Sequence, residues 1–459
     1  MNTDPVIESI SGLLTNMRYE DLPHDVVHAA KRILIDTVGC AFGGYHTPAA
    51  VAARQIAEAV RPTPHSPEAS VLIDGAATSP DLAAFANGVM LRVLDFNDSF
   101  HGKGNGGHPS DVIAGVLAAA ESTYSHGKAV LLGVVSAYEV FCRYVGQTRL
   151  GANPWDHVTV GALAVAGAAG RLMSLSDAQL RDALALALVP NMALRATRFE
   201  EVSMWKGCAA ANASRNGIFA ATLASHGVSG PPRPFEGRGG AFSGPVPRFE
   251  PPESGPEGSH AVLHCQFKRF PIGSLSQTAA SAALEIHEHR LPIGDIDRIR
   301  LGTTSFAMSV MAGDPEKWRP STRESADHSL PFVIASTIRD GAPGVDSLDH
   351  DSFTDPALQR LMDRVEVFVD PECEAAAPVT MAKLTVILSN GETHTVATRY
   401  HRGHYLNAMT DGEIADKFIA QTAPVIGASA TTALLDMMWD VDRHADIGAM
   451  VAATTPGRR

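Results

Sequence analysis

Residues 161–172 read GALAVAGAAGRL, and eight of these twelve residues are Ala or Gly. A helix built from such small side chains brings its backbone close to the elements around it. A second stretch of this kind follows at 207–221, GCAAANASRNGIFAA. Because such helices must be buried on several sides, we predict an all-α core around them.

Other parts of the first 225 residues also have helical patterns. Apolar residues fall on one helical stripe over 24–42, and the two glycines at 43–44 then form a stop signal. The tripeptide SPD at 79–81 combines a capping residue, a proline suited to the first helical position and an acidic first turn. Ser176 and Gln179 have the spacing of a capping box. These signals predict a run of connected helices.

The composition changes at Gly227, where a stretch rich in Gly, Pro and charge predicts a long connection that ends near Gly258. Beyond it, the apolar period becomes that of strands. The strand-like segments are Ile296–Thr304, Val365–Val369 and Met381–Val396, the last with a hairpin turn. A helical pattern returns in the tail.

We therefore predict a mainly α fold with two domains. A large all-α helical domain spans 1–266, and a smaller α+β lid domain spans 267–400. The tail, 401–459, is expected to pack back on the helical domain.

Charge and cysteine content exclude several classes of function. The net charge of −13 argues against affinity for nucleic acid or an anionic membrane, so an anionic ligand would need a local basic pocket. The five cysteines are scattered, without the spacing of a disulfide framework, a zinc site or an iron–sulfur site. The sequence also lacks the pattern of a signal peptide and any uninterrupted apolar run of about 18 residues. We therefore expect a cytoplasmic protein without a metal.

The first candidate site segment is LDFNDS at 94–99, followed by a Gly-rich turn that leads to His108. A Gly-rich loop lets backbone approach a ligand, and the N-terminus of the next helix attracts a carboxylate. Asp95 and Asp98 are either site residues or ordinary loop residues. The position of His108 at the mouth of a helix favours a functional role.

Further segments place ionisable residues among small or apolar ones. His157 begins the Ala/Gly helix, where a lone histidine is more often a core residue. Lys206 has small neighbours on almost every side and must snorkel, pair or face a cavity. Lys268 and Arg269 lie at the domain boundary, where clefts form, and the pattern does not separate them. The segment 318–329 is more typical of a helix cap than of catalysis. This inventory suits proton transfer on an anionic substrate better than acyl or phosphoryl transfer.

Motifs in these same regions, in order along nearly the whole chain, resemble the MmgE/PrpD family. They are DTVGCAFGG (36–44), LDFNDS (94–99), GHPSD (107–111), AYEVFCR (137–143), WDHVTVGALAVAGAAG (155–170), MWKGCAAANASRNGIFAA (204–221), PFEGRGG (234–240), KRFPIGSLSQTAA (268–280) and PEKWRPSTRESADHSLP (315–331). The resemblance implies a large all-α domain with a smaller α+β domain, a homodimer, and an active site in the cleft between the domains that uses no cofactor.

Carried over by position, the family's pocket falls on Asp95, Ser99, His108, His157, Lys206 and Lys268. The resemblance implies dehydration of a 2-methylcitrate-like tricarboxylate. The two histidines would then transfer protons, in an order left open, and the two lysines would supply positive charge. Asp95 would orient an imidazole or act as the base. Ser99 would bind a carboxylate or the leaving hydroxyl.

Two departures from the family pattern disfavour the decarboxylases in it. Phe332 replaces a Tyr that those relatives place after the HS motif, and Gly273 or Ser274 replaces a His that follows KRFP. The stretch at 317–331 is more similar to the dehydratases. Decarboxylation and epimerisation of a carboxylate remain alternatives, since all three reactions pass through a carbanion next to a carboxylate. A non-catalytic carboxylate-binding protein is a further alternative.

Overall fold

The computed structural model divides into a large helical part and a smaller part with a sheet, which confirms the mainly α fold class. It describes residues 3–102, 106–147, 156–198, 202–244, 246–250, 260–348 and 350–457. Trp155 of the WDH motif and residues 251–258 of the predicted connection lie outside these ranges.

The N-terminal part is a group of packed helices. They are α1 (Pro5–Asn16), α2 (His24–Gly44), α3 (Pro48–Glu58), α4 (Pro80–Arg92), α5 (Ile113–Ser122), α6 (Gly127–Gln147), α7 (Val158–Leu172), α8 (Asp177–Leu188) and α9 (Trp205–Ser225). Two very short hairpins interrupt the helices, β1 (Ala69–Ser70) with β2 (Ala77–Thr78), and β3 (Phe100–His101) with β4 (Gly106–Gly107). The capping box of Ser176 and Gln179 is confirmed at the start of α8.

The small residues of α7 and α9 let the helices approach closely, as the sequence predicts. Helix α9 packs against α4, α7 and α8. A Cβ placed on Gly88 of α4 would lie 2.9 Å from the Cα of Ala211 in α9, and one on Gly217 of α9 would lie 2.7 Å from Val165 in α7. At these separations no methyl group fits between the backbones. The glycines therefore set the distances between the three helices.

The C-terminal part is built on a four-stranded mixed sheet in the described residues. Its strands are β5 (Ile296–Thr303), β6 (Val365–Val369), β7 (Ala382–Leu388) and β8 (Thr393–Thr398), in the order β6-β5-β7-β8. Strands β5 and β6 are parallel, while β5 with β7 and β7 with β8 are antiparallel. Alternate residues of β7 are buried, so one face of the sheet is covered.

The described residues of the sheet-containing part also form seven α-helices. They are α10 (Gln277–Glu288), α11 (Ser305–Ala312), α12 (Arg323–Ala326), α13 (Leu330–Asp340), α14 (His350–Thr354), α15 (Pro356–Met362) and α16 (Pro371–Ala375). Helix α10 packs on β7, β8 and α13. The buried apolar residues of this part form a core of their own, from Phe270 to Val396.

The tail contains α17 (Asp411–Ile426), α18 (Ala428–Trp439) and α19 (Gly448–Ala452), and its buried residues belong to the core of the helical part. Helix α17 packs on α2, where a Cβ on Gly39 would lie 3.1 Å from the ring of Phe418. Lys417 of α17 contacts Asp36 of α2 at 2.7 Å. The tail thus pairs two buried charges across the two helices.

The described portion of the predicted connection packs against the helical part. The backbone N–H of Phe235 donates to the carboxylate of Asp4 at 2.8 Å, and the rings of Phe235, Phe242 and Phe249 contact one another. Asp4 also caps the N-terminus of α1. Its carboxylate therefore joins the connection to the first helix.

Within the described residues, one helix is long and apolar enough to cross a membrane, namely Gly127–Gly146 of α6. Of the residues in its most apolar window, 78% are buried inside the protein. Leu131, Tyr138 and Phe141 are fully buried. This is the burial expected of a core helix.

We expect Gly88→Ala to destabilise the protein, because the added methyl group meets the backbone of α9. Overpacking of this kind costs about 1–3 kcal/mol of the free energy of unfolding, partly offset by the better helix propensity of alanine. Gly12→Ala in α1 is the matched control, since nothing lies within 4 Å of its Cβ position. The control is expected to be neutral or stabilising by up to about 1 kcal/mol. Urea denaturation measures both, and equal effects of the two changes would contradict the packing argument.

Candidate active site

A cavity of about 610 Å³ lies where the helical part meets the sheet-containing part. The helical part contributes Arg92, His101, His108, Asp156, His157, Arg195, Arg198, Val202 and Lys206, with backbone from the β3–β4 hairpin. The other part contributes Ser274, Leu275, Thr304, Ser305, Phe306, Val310, His328, Glu374, Ala377, Pro378 and Thr380. Both parts are therefore needed to enclose a ligand.

Asp95 lies next to this cavity, fully buried, in the turn after α4. Its backbone has a φ of +52°, in the left-handed region that few residues other than glycine adopt. One carboxylate oxygen, Oδ1, accepts hydrogen bonds from Arg92 at 2.9 Å and from the ammonium of Lys268. Lys268 also donates to the carbonyl of Asp95 at 2.6 Å. The unusual turn thus presents two oxygens of one residue to the same lysine.

Burial alone would favour the neutral form of Asp95, but the positive charges of Arg92, Lys268 and Lys206 hold the pKa of its carboxyl well below the usual value. Burial also lowers the pKa of Lys268, to about 8. Asp95 is consequently a permanent anion at neutral pH and a weak base. It acts as the counter-ion of the three cations around it.

Lys206, in the first turn of α9, reaches across the cleft to the segment before α13. Its ammonium donates to both carboxylate oxygens of Asp327, at 2.9 and 2.8 Å, and lies 3.0 Å from Nδ1 of His328. It also lies 3.2 Å from Oδ2 of Asp95. Nε2 of His328 is 3.4 Å from that same oxygen. One ammonium group therefore connects acidic residues from both parts of the chain.

These same residues form the one group in the described ranges whose ligand atoms would suit a metal ion. Atoms of Asp95, Asp327 and His328 lie within 4.8 Å of one another. The Lys206 ammonium lies within 3.2 Å of an atom of each. A lysine therefore supplies the positive charge at this position.

His157 lies at the start of α7 and is held by a carboxylate that the sequence patterns did not single out. Its Nδ1 is 3.1 Å from Oδ1 of Asp156, and Arg198 donates to both oxygens of that carboxylate, at 2.8 and 3.2 Å. Although burial favours its neutral form, the charge of Arg198 lowers the pKa of Asp156. Burial lowers the pKa of His157 to about 4, so its imidazole is neutral at pH 7.

This arrangement assigns the tautomer of His157. A neutral imidazole next to an ionised carboxylate carries its proton on the nitrogen that faces the carboxylate, here Nδ1. The other nitrogen, Nε2, is buried and has no hydrogen-bond partner in the described residues. His157 is one of the residues that line the cavity.

His108 is the second imidazole of the cavity. Its Nδ1 is 2.7 Å from the carbonyl oxygen of Asp98, which can only accept, so Nδ1 carries the proton. Its Nε2 lies 3.7 Å from Oδ1 of Asp95. Burial, with Arg92 and Lys268 nearby, holds the pKa of His108 well below the usual value. The rings of His108 and His157 are 6.0 Å apart.

The last glycine of β4, directly before His108, makes the close approach of the two histidines possible. A Cβ on Gly107 would lie 2.8 Å from Cδ2 of His157 and 2.8 Å from the ring of Phe141. A larger residue would push His157 away from the cavity wall. The Gly-rich turn noted in the sequence thus acts by leaving room for a side chain.

The cavity is locally positive in a negatively charged protein. Among its described lining residues, four are lysine or arginine and two are acidic. Arg92, Arg198 and Lys206 are each paired with a buried carboxylate, so their positions are fixed. Preorganised cations next to an available imidazole can bind a carboxylate ligand and stabilise negative charge that develops on it.

The structure brings five of the six predicted site residues into one cluster. His108, Lys206 and Lys268 each contact Asp95, and His157 lies beside His108. Lys268 is fully buried behind Asp95 and is not among the described lining residues, while Arg269 is exposed. Asp95 does not orient His157.

Ser99, the sixth predicted residue, is apart from that cluster. It is buried, and its backbone pairs with Gln266 in a short bridge. It is not among the described lining residues of the cavity. Its position supports the turn that carries Asp95 and Asp98 rather than the cavity surface.

The sequence patterns missed five residues of the site, namely Arg92, Asp156, Arg198 and the Asp327–His328 pair. Ser329 does cap α13, by accepting from the N–H of Phe332, so the helix cap at this segment is confirmed. The two residues before the cap nevertheless contact Lys206. The position of Asp156 directly before His157 could have indicated a pair in the sequence. Its partner Arg198 is 42 residues away and could not be recognised from a local pattern.

The two departures from the family pattern lie in different surroundings. Phe332 is buried in the core of the sheet-containing part, and it is not among the described residues that line the cavity. Ser274 does line the cavity, and its hydroxyl is 3.2 Å from Nε2 of His101. Only the departure at Ser274 therefore changes the cavity surface.

Comparison with known proteins agrees with these motifs. The family model for the MmgE/PrpD N-terminal domain matches residues 8–252, and that for the MmgE/PrpD C-terminal domain matches residues 270–443. Human cis-aconitate decarboxylase is 24% identical, over 97% of this chain and 93% of its own. The 2-methylcitrate dehydratase of Escherichia coli K12 is 26% identical, over 77% of this chain and 76% of its own. The mitochondrial 2-methylcitrate dehydratase of Yarrowia lipolytica is 25% identical, over 80% and 73%.

We expect Asp327→Asn to destabilise the protein by about 3 kcal/mol, because it leaves the buried Lys206 ammonium with one carboxylate instead of two. Asp363→Asn is the control, since Asp363 pairs with Arg319 on the surface, where both side chains are at least half exposed. Loss of that pair is expected to change the free energy of unfolding by less than about 1 kcal/mol. Thermal and urea unfolding measure the difference. Similar values for the two variants would contradict the structural importance of the Lys206–Asp327 pair.

Proposed function

Because this chain belongs to the MmgE/PrpD family, we propose that it is a cofactor-independent hydro-lyase. Its substrate would be a 2-methylcitrate-like tricarboxylate, dehydrated to the cis-aconitate-type alkene. The observation that carries the proposal is the geometry of His157. Its Nδ1 contacts the Asp156 carboxylate, its Nε2 has no partner in the described residues, and the residue lines a cavity that arginines and Lys206 also line. A base in this setting suits removal of a proton next to a carboxylate.

The first step breaks a carbon–hydrogen bond. Nε2 of His157 takes the proton, and Asp156 stabilises the imidazolium that forms at Nδ1. The electron pair left on carbon is delocalised into the neighbouring carboxylate, where negative charge grows. Lys206 and the arginines of the cavity stabilise that charge.

The second step breaks the carbon–oxygen bond and needs an acid, because hydroxide leaves well only when protonated. We assign this role to Nε2 of His108. Its pKa is low in the free protein, but a bound tricarboxylate places negative charge beside it and favours the imidazolium. Asp95, 3.7 Å away, stabilises the same form. Water leaves, the alkene forms, and exchange with solvent returns the proton from His157 to His108.

Lys206 supports the proposal that no metal takes part. In dehydration, a metal would stabilise the carboxylate or the leaving oxygen as a Lewis acid. The ammonium of Lys206 already lies among the ligand atoms of Asp95, Asp327 and His328. Lys268 would keep Asp95 in place from behind, and Ser99 would fix the turn that carries it. We also propose the homodimer that the resemblance implies, and a cytoplasmic location.

Decarboxylation of cis-aconitate is the second candidate. It is favoured by the relative named cis-aconitate decarboxylase, whose match extends over 97% of this chain, whereas the bacterial dehydratase matches 77%. The burial of Phe332 also removes one of the two sequence arguments against it. Ser274, in place of a histidine at the cavity surface, still argues for dehydration. Epimerisation would use the same base and the same cations.

Incubation of the purified protein with 2-methylcitrate, citrate, cis-aconitate and iminodisuccinate distinguishes these reactions. We expect an unsaturated tricarboxylate from 2-methylcitrate, detected by mass spectrometry and by ultraviolet absorbance. Carbon dioxide from cis-aconitate, without any hydration or dehydration, would establish the decarboxylase instead. Racemised iminodisuccinate would establish the epimerase. Thermal stabilisation by tricarboxylates with no turnover of any of them would identify a binding protein.

We expect His157→Gln to lower kcat on 2-methylcitrate by about 10²–10⁴-fold, because the variant has no base at Nε2. KM should change little, since glutamine retains polar atoms in the cavity. The matched control is His289→Gln, an exposed histidine of the sheet-containing part, and its kinetics should equal those of the unaltered protein. A folded His157→Gln variant with near-normal turnover would assign the proton abstraction to another group.

A further inference from the structure

Five of the residues with which the sheet-containing part lines the cavity are apolar, and they form an apolar patch. It consists of Leu275, Phe306, Val310, Ala377 and Pro378, all from the sheet-containing part. The ionised residues, by contrast, come mainly from α4, α7, α9 and their preceding turns. We call these five residues the apolar wall. The cavity therefore combines a charged side with an apolar patch, and polar residues of the sheet-containing part line the cavity beside this patch.

Phe306 is the largest member of the apolar wall and is 52% exposed. It lies in the first turn of α11, and Thr304 caps this helix by accepting from the N–H of Ala307. Single exposed aromatic residues are common, but this one lines a cavity together with four other apolar residues. Such surfaces usually contact an apolar ligand group or a partner.

The apolar wall is held in place by a carboxylate. Glu374 accepts from the backbone N–H of Ser305 at 2.6 Å and from its hydroxyl at 2.7 Å. This contact ties the segment that carries Ala377 and Pro378 to the start of α11, where Phe306 lies. The wall is thus formed before any ligand arrives, which lowers the ordering cost of binding.

A tricarboxylate with a single methyl group does not account for this surface. Its three carboxylates and hydroxyl are matched by the charged side, whereas carboxylates near the apolar wall would lose hydration without gaining a partner. The cavity volume of about 610 Å³ lies within the range that holds drug-sized ligands, roughly 300–1,000 Å³. The space next to the wall suits an aliphatic group attached to the tricarboxylate.

We propose that the preferred ligand is a tricarboxylate with an unbranched alkyl substituent of several carbons, in the position that a methyl group occupies in 2-methylcitrate. The carboxylates bind on the charged side, and the alkyl chain lies along Leu275, Phe306 and Val310. This inference rests on the proposed function for the orientation of the carboxylates. The recognition of the alkyl chain by the apolar wall does not depend on which reaction follows.

Binding of propane-1,2,3-tricarboxylate derivatives tests the proposal without turnover, because these compounds lack the hydroxyl that dehydration removes. Titration calorimetry would compare the 1-methyl, 1-propyl and 1-pentyl derivatives, whose substituent is on the same carbon as the methyl group of 2-methylcitrate. A buried methylene contributes about a fourfold gain in affinity, so the partly open wall should give roughly tenfold tighter binding from methyl to propyl. Affinity that is constant or falls along the series, or no binding of any member, would overturn the proposal.

Phe306→Ser is expected to reduce the propyl-to-methyl affinity ratio from roughly tenfold to about twofold. Phe219→Ser is the matched control, because Phe219 is 54% exposed on α9 and is not among the described cavity residues. The control should keep the full ratio. If Phe306→Ser lowers the affinity for all three ligands by the same factor, the apolar wall closes the cleft but does not recognise the alkyl chain. The proposal is then wrong.

The same compounds separate this inference from the proposed function. One outcome is that 2-methylcitrate is not dehydrated, while the propyl-to-methyl affinity ratio is high and depends on Phe306. The dehydratase assignment then fails, and alkyl binding by the apolar wall is supported. If 2-methylcitrate is dehydrated while longer chains bind more weakly, the function is supported and the wall is refuted.

Discussion

A buried network of opposite charges joins the two parts of this chain, and the active site is arranged around it. Lys206 from the helical part contacts Asp327 before α13, and Lys268, between the two parts, contacts Asp95. Each of these side chains is almost completely buried, so none of them can regain water without separating the parts. The positions of the charges, and therefore of the cleft, follow from this mutual neutralisation.

The network also decides which groups can exchange protons. Three cations keep Asp95 ionised, so it stabilises charge but is a poor base. Burial keeps His157 and His108 neutral in the free protein, and each imidazole has its Nδ1 engaged by a separate oxygen acceptor. Both Nε2 atoms are left for a ligand. In the proposed mechanism, His108 becomes an acid only when an anionic ligand binds, so proton transfer is coupled to binding.

Local patterns in the sequence were sufficient for most elements of the fold. The stop at Gly43 and Gly44, the capping box at Ser176 and the period-two segments at 296–304 and 365–369 all correspond to elements of the structure, because caps and periodicity act within a few residues. The site was predicted less completely. Asp156, Arg198 and Asp327 act through partners that are distant in the chain or in another element. The Asp327–His328 segment has the pattern of a helix cap because Ser329, the residue that follows it, caps α13.

The sequence by itself therefore determined the helical core, the change to strands after the connection and the residue types of a proton-transfer site. Small residues, alternation and capping are local, so they can be recognised without the fold. Only the tertiary structure decided what each ionisable residue does. In the structure, Lys268 is buried behind Asp95, and His157 contacts Asp156. Lys206 contacts carboxylates from both parts of the chain. Such roles depend on distances and burial between residues that are far apart in the chain, and these are set by packing alone.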